Sequence, residues 1–198
     1  DLVRSRGLGD VYKRQDLHAD QIQGFFEKPV DHLFASTIFV PHIKSLKLDK
    51  LTIASPDMGG SKRAYAYSRF LESDVVICYK QRKKANLISH MELIGDVVGK
   101  NVVLVDDMVD TAGTLTHAAN LMIEKGAKSV RAVCTHALLS RDAYSKIDES
   151  KLEQLIVTDS INNIKTSSKI KILSCAELFA STMYNVHHNK SISSKFIV

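Results

Sequence analysis

The sequence predicts an α/β domain, a parallel sheet flanked by helices. Two observations carry that expectation. Short, β-branched apolar runs at 51–55, 75–79, 102–106 and 130–135 alternate with segments of helical period, and strands apolar on both faces belong to parallel sheets covered on both sides. Two of the runs also end in acids, glycines and the start of a helix: Ser55-Pro56-Asp57-Met58-Gly59-Gly60 and Val105-Asp106-Asp107-Met108-Val109-Asp110-Thr111-Ala112-Gly113-Thr114.

Taken in order, residues 1–15 (DLVRSRGLGDVYKRQ) have neither periodicity nor a hydrophobic face. They are expected to be an adapter-derived scar and are set apart from the fold. Residues 32–44 are helical in part. Leu51–Ser55 is a strand, and Lys62–Leu71 a helix with Ala64, Tyr67, Phe70 and Leu71 on one side. Val75–Tyr79 is a second strand, followed by a polar basic segment to about His90. Met91–Val98 is a short strand or hairpin arm ending at Gly99, and Val102–Asp106 is the next strand. The following helix carries Leu115, Ala118, Ala119, Met122 and Ile123 on one face and His117, Asn120 and Glu124 on the other, with Gly126 as its C-terminal cap. Val130–Thr135, Leu155–Thr158 and Ile170–Leu173 complete the strands, and Ala176–His187 is a last amphipathic helix.

The bulk properties exclude several classes. A chain of 198 residues supports one good-sized core, or one domain and a piece of another. No apolar run approaches the ~20 residues that span a bilayer, so no membrane partner is expected. Cys78, Cys134 and Cys175 are odd in number and scattered; they read as buried, reduced thiols of a cytoplasmic protein. Of the net charge of +5, residues 1–15 carry +2. Much of the remainder sits in Lys80-Gln81-Arg82-Lys83-Lys84, which lacks interleaved aromatics, so a nucleic-acid partner is not expected.

The Asp-rich turn suits a sugar phosphate. Backbone N–H groups at the start of a helix can hold a phosphate, while Asp106 and Asp110 can accept from ribose hydroxyls. Asp57 ends another strand, and a parallel sheet sends both acids to one rim. Two rim acids suit Mg²⁺ shared with a phosphorylated ligand. His18, in Asp16-Leu17-His18, is a candidate for metal or phosphate contact. Lys80 and Arg82, two apart on an extended segment, point the same way and could close over phosphates as a cationic lid. Each group also has a plainer reading: capping residues, a Pro-initiated turn, a structural histidine, a solvated loop. Their combination points to phosphoryl or diphosphoryl transfer on a ribose phosphate, chemistry that needs positioning and electrostatic stabilisation above all.

Five stretches in order, DLHADQIQGFFEKPVDHL, SPDMGG, YKQRKKAN followed by ELIGDVVGK, VDDMVDTAGT and HNKSISSKF, resemble the C-terminal half to two thirds of a ribose-phosphate diphosphokinase (phosphoribosyl pyrophosphate synthetase). The Asp-rich turn alone is shared with phosphoribosyltransferases; DLHADQIQGFF and KQRKKAN point to the synthetases. The resemblance implies a type I phosphoribosyltransferase-like fold and transfer of the β,γ-diphosphate of ATP to the anomeric hydroxyl of ribose 5-phosphate. It implies that Asp110, Thr111, Ala112, Gly113 and Thr114 bind the 5-phosphate and Asp106 the ribose hydroxyls. His18 and Asp57 would place Mg²⁺. Lys80 and Arg82 would stabilise the diphosphate, Arg82 also touching substrate. Homohexamers regulated by phosphate and ADP between subunits are implied as well.

On this basis residues 16–40 are expected to be the remnant of an N-terminal domain and linker, 41–188 the C-terminal domain and 189–198 a tail. The isolated chain is expected to bind ribose 5-phosphate yet lack activity. Two departures stand out: Ser140-Arg141-Asp142-Ala143 where many members have Ser-Gly-Pro-Ala, and Glu27 where Asp is frequent. The competing functions are a non-catalytic regulatory homologue, disfavoured by the complete set of site residues, and a phosphoribosyltransferase or related RNA-binding regulator, disfavoured by DLHADQIQGFF.

Overall fold

The computed structural model describes residues 12–81, 90–162, 165 and 167–195. The elements run β1 (Tyr12–Gln15), β2 (Val30–Leu33), α1 (Ser36–Ser45), β3 (Leu51–Ser55), α2 (Ser61–Leu71), β4 (Asp74–Gln81), β5 (His90–Ile94), β6 (Asn101–Val109), α3 (Gly113–Glu124), β7 (Ser129–Ala137), α4 (Ala143–Glu149), β8 (Gln154–Thr158), β9 (Ile170–Leu173) and α5 (Ala176–His187). Short 3₁₀ turns occupy Asp20–Phe25 and Ser193–Lys195.

Seven strands form one sheet in the order β5-β4-β3-β6-β7-β8-β9. Every pairing is parallel except β4 with β5, an antiparallel arm in which Lys80 faces Met91. From β3 the chain steps outward to β4; it then returns to the other side of β3 and steps the opposite way from β6 to β7. Right-handed crossovers in opposite directions must put their helices on opposite faces. The packing shows this. Ala64 and Tyr67 of α2 join Phe39, Ile43, Ile53, Val103 and Val105 in one core. Leu115, Ala118 and Met122 of α3 join Ala54, Val102 and Leu104 in the other. Successive residues of β3 and β6 thus divide between two cores, as the two-residue period of a strand requires.

Several features differ from the sequence expectation. Phe70 is 38% exposed, and Ser68 takes its place on the buried side of α2. Positions 64, 67, 68 and 71 form a helical stripe at spacings of three and four, and Phe70 lies well off its centre. Residues 12–15, set apart above, form β1 and pair in parallel with β2 as a separate two-stranded sheet. The boundary expected between residues 40 and 41 falls inside α1, whose Phe39 is fully buried. Cys78 and Cys134 are buried as expected, whereas Cys175 is only partly so and its thiol donates to Asp159 Oδ1 at 2.8 Å. Among the described residues no helix is long and apolar enough to cross a membrane.

Since Phe39 anchors α1 to the sheet, Phe39→Ala should lower unfolding stability by about 3–5 kcal/mol in urea titrations. A loss below 1 kcal/mol would show that α1 is an appendage rather than part of the core.

Candidate functional site

Open α/β sheets bind ligands outside the carboxyl ends of the strands where the strand order reverses. Here that point lies between β3 and β6, which are hydrogen-bonded neighbours. The loops leaving both strands line a cavity of about 240 Å³ with His18, Asp57, Asp106, Asp107, Asp110, Thr111, Ala112, Gly113 and Thr114 in its wall. Of the expected site residues that the structure describes, all but Lys80 line this cavity.

Asp57 sits in the turn between β3 and α2. Ser55 Oγ donates to its carbonyl oxygen at 2.6 Å, and the Gly60 N–H donates to its Oδ1 at 3.0 Å. A Cβ at Gly60 would lie 2.5 Å from Ser55 Oγ, so this close turn requires glycine. The turn-closing bond of Asp57 and its place in the cavity wall coexist.

On β6 the register decides what each acid does. Val103, Val105 and Asp107 share the α2 face by strand parity, and Val102, Leu104 and Asp106 share the other. Asp107 is buried and accepts from Arg63 Nη1 at 3.2 Å, while its Oδ2 lies 2.8 Å from His18 Nδ1. Arg63 Nη1 is 3.6 Å from Asp106 Oδ1. Burial pushes the Asp106 carboxyl up, and the adjacent Asp107 adds to that push. Burial acts on Asp107 in the same sense but is outweighed by Arg63 and His18, which hold it below the usual carboxylate range. One permanent cation facing two carboxylates leaves a negative charge without a partner, and Asp106 registers it. Sequence reasoning assigned roles to neither Arg63 nor Asp107. The parity of β6 was the available signal for Asp107; for Arg63, only its place in the helical turn after Gly59-Gly60 hinted at it.

The turn into α3 is built to leave donors free. Ala112 has φ +57°, a left-handed conformation unusual for a residue with a Cβ, and its side chain is buried in the α3 core. The first intrahelical bond runs from Thr116 N–H to Ala112 O at 2.9 Å. The N–H groups of Gly113, Thr114 and Leu115 precede it and point out of the helix end, the arrangement that binds anions. From behind, the loop after β7 braces the turn. Ser140 N–H donates to Asp110 O at 3.0 Å, Ser140 Oγ donates to Asp110 Oδ1, and Leu138 N–H donates to Val109 O at 2.9 Å. Asp110 therefore has one carboxylate oxygen committed to Ser140.

His18 reaches the cavity from the segment after β1. That segment is pinned by Asp16, a buried carboxylate accepting from Ala35 N–H at 3.2 Å and from the Thr135 hydroxyl. Burial pushes the Asp16 carboxyl up against the lowering effect of those donors.

Lys80 is exposed near the end of β4 and does not line the cavity. Ser55 pairs with Ile77, so Lys80 stands three residues, or roughly 10 Å, beyond the end of β3 on the same rim. Arg82 lies outside the described residues. Among those residues no three metal-ligating side chains close on one point. His18 and Asp57, the two residues expected to place a metal, both line the cavity.

Arg141 has φ +54° at the position where glycine is frequent in the resembling family. Arg141→Gly should raise unfolding stability by about 0.5–1 kcal/mol, because relief of left-handed strain exceeds the added chain entropy; a loss measured in denaturant would contradict this account. A folded-state pKa above the unfolded value means that Asp16 favours folding when protonated, with that advantage lost as pH climbs above about 3.8 towards its raised value. Asp16→Asn should flatten the fall in stability over that window, and an unchanged slope would refute it.

Comparisons with known proteins agree with the geometry. The family model of the phosphoribosyl synthetase-associated domain matches residues 52–197. The chain is 52% identical over 197 residues to a ribose-phosphate pyrophosphokinase of Porphyromonas gingivalis, covering 99% of this chain and 63% of that protein. It is 48% identical to that of Wolinella succinogenes, covering 100% of this chain and again 63% of the relative. The crystal structure of phosphoribosylpyrophosphate synthetase from Mycobacterium smegmatis superimposes with a TM-score of 0.82 at 34% identity, covering 96% of this chain and 62% of that one. The adenine phosphoribosyltransferase of Giardia lamblia shares the fold alone, with a TM-score of 0.51 at 13% identity over 71% of this chain and 76% of its own. This chain therefore spans about 63% of the length of the curated relatives it matches.

Proposed function

The chain belongs to the phosphoribosyl synthetase-associated domain family, and from that premise we propose that the whole protein is a ribose-phosphate diphosphokinase. The reaction transfers the diphosphate of ATP to the C1 hydroxyl of ribose 5-phosphate and gives phosphoribosyl diphosphate and AMP. The observation that carries this reading is the cavity at the strand-order reversal, where His18, Asp57 and Asp106 meet the open N-terminus of α3.

In this reading the 5-phosphate is held by the turn Asp110-Thr111-Ala112-Gly113-Thr114, and Asp106 accepts from the ribose hydroxyls. The C1 hydroxyl oxygen then forms its bond to the β-phosphorus of ATP while the bond from that phosphorus to AMP breaks. Lys80 and Arg82 place positive charge beside the diphosphate as it moves. His18 and Asp57 would hold Mg²⁺, with phosphate oxygens and water completing its shell. When bound, Mg²⁺ supplies charge that screens the approaching nucleophile from the phosphates.

A homohexamer in the cytoplasm belongs to the same proposal. Assembly rests on the family resemblance, and exposed apolar side chains such as Phe25, at 88% exposure, are compatible with it. Support for the compartment comes from three cysteines that are all free thiols.

The full-length protein should form AMP from ATP only when ribose 5-phosphate and Mg²⁺ are both supplied; AMP formation without the sugar phosphate would overturn the reading. Lys80→Ala should slow AMP formation about a hundredfold, the effect of losing about 3 kcal/mol of transition-state stabilisation. A wild-type rate would remove Lys80 from the mechanism. For this chain by itself, calorimetry should detect ribose 5-phosphate binding that Asp106→Ala weakens roughly tenfold or more, as expected for a lost charge-assisted hydrogen bond.

A further inference from the structure

Three elements converge behind His18. Its Nδ1 lies 2.8 Å from Asp107 Oδ2, and Oδ1 of the same carboxylate accepts from Arg63 Nη1 at 3.2 Å. Asp107 comes from β6, Arg63 from the first turn of α2 and His18 from the segment after β1. The Asp107 side chain is 7% exposed and that of His18 68% exposed. The contact is therefore made at one edge of the ring, and the rest of the ring is open to solvent at a residue that lines the cavity. The backbone behind His18 is fixed as well. His136 Nε2 lies 3.0 Å from the carbonyl oxygens of both Gln15 and Asp16, and its Nδ1 lies 2.9 Å from Ser160 Oγ.

An Arg-paired carboxylate has acceptors only. Nδ1 of His18 must then carry the hydrogen of that contact. A neutral imidazole has one N–H, so Nε2 is left with its lone pair, and Nε2 lies across the ring from Asp107. Fixing a ring nitrogen by a carboxylate on its far side is how proteins choose the tautomer of a ligand-binding histidine. Arg63 has a separate part in this. By engaging Oδ1 it sets the rotation of the Asp107 carboxylate and so the direction in which Oδ2 points at the ring.

We propose that Asp107 and Arg63 are positioning residues that hold His18 as its Nδ1–H tautomer, with the Nε2 lone pair presented to the ligand cavity. The tautomer stands on these contacts alone. What Nε2 meets there, a divalent cation or a water in its shell, rests on the diphosphokinase reading. A merely structural Arg63–Asp107 pair would stabilise the fold without affecting the ring, and the test separates the two.

Long-range ¹H–¹⁵N correlation spectra of the labelled chain, with the His18 signals assigned through His18→Gln, report the tautomer directly at a pH where the ring is neutral. The wild type should show a protonated Nδ1 and an unprotonated Nε2. In Asp107→Asn the side-chain amide can donate to Nδ1, so the pattern should move towards the Nε2–H form. Arg63→Met should move it in the same direction while leaving the carboxylate in place, and it keeps the test open if Asp107→Asn does not fold; Arg63→Lys should restore part of the wild-type pattern. Added Mn²⁺ should broaden the His18 signals, with affinity reduced about tenfold or more in Asp107→Asn. An Nε2–H tautomer in the wild type, or a tautomer unchanged in both Asp107→Asn and Arg63→Met, would overturn the proposal. Tautomer shifts without Mn²⁺ broadening in any variant would sustain the positioning role and count against the metal assignment.

Discussion

The parallel pairing of β3 with β6, across the point where strand order reverses, is the constraint on which the site depends. Neighbouring strands lie about 4.8 Å apart, so the loops that follow them begin almost in contact. They are then forced apart, because α2 leaves towards one face and α3 towards the other. The gap that opens is the cavity. Asp57 enters it from one loop, and the end of β6 with the turn that follows it, Asp106–Thr114, from the other side, without any long insertion. Asp57 is held instead by a bond within its own turn, from Gly60, and Asp110 by Ser140 of the loop after β7.

That economy concentrates charge. Asp106 and Asp107 stand side by side at the end of a buried strand, and unit charges 4 Å apart interact by about 4 kcal/mol at an effective dielectric constant near 20. Arg63 is shared between them, closer to Asp107 than to Asp106. The imbalance explains why burial and repulsion raise Asp106 while Asp107 stays ionised. A site with surplus negative charge in a partly buried cavity favours ligands that bring cations or hydroxyl donors. A metal-complexed sugar phosphate brings both. In the proposed reading the phosphate would lie away from the carboxylates, at the helix end where N–H groups and the helix dipole would face it.

Much of the architecture was legible because one-dimensional periodicity carries it. Leu51–Ser55 was expected at its observed bounds, and the Leu115, Ala118, Ala119 and Met122 stripe faces the core as its helical spacing requires. The rim position of Asp57 and Asp106 was readable too, since parallel strands send their C-terminal ends the same way. What periodicity could not convey is partnership. Nothing local marks Arg63 as the partner of residues more than forty positions later, and β1 pairs with β2 through backbone bonds that leave little trace in a four-residue strand. Residues 106–109 looked like a turn because acids are poor strand formers. The β7 ladder, which pairs Asp106 with Cys134 and Val109 with Ala137, holds them extended regardless.

Ala112 shows how closely binding and packing are joined in this turn. Its left-handed backbone costs on the order of 1–2 kcal/mol relative to an ordinary conformation, and glycine would remove that strain. Yet its methyl is buried in the α3 core, in the same cluster as Val109, Leu115 and Leu139; glycine would surrender that contact and add chain entropy in the unfolded state. The residue is therefore held between two demands of similar size. The bonds from Leu138 and Ser140 to Val109 and Asp110 decide the balance by fixing the strand end from which the turn departs. With that end fixed, the left-handed step is what swings the first N–H groups of α3 towards the cavity. Those N–H donors thus owe their direction to core packing behind the turn, with no contribution needed from a capping side chain.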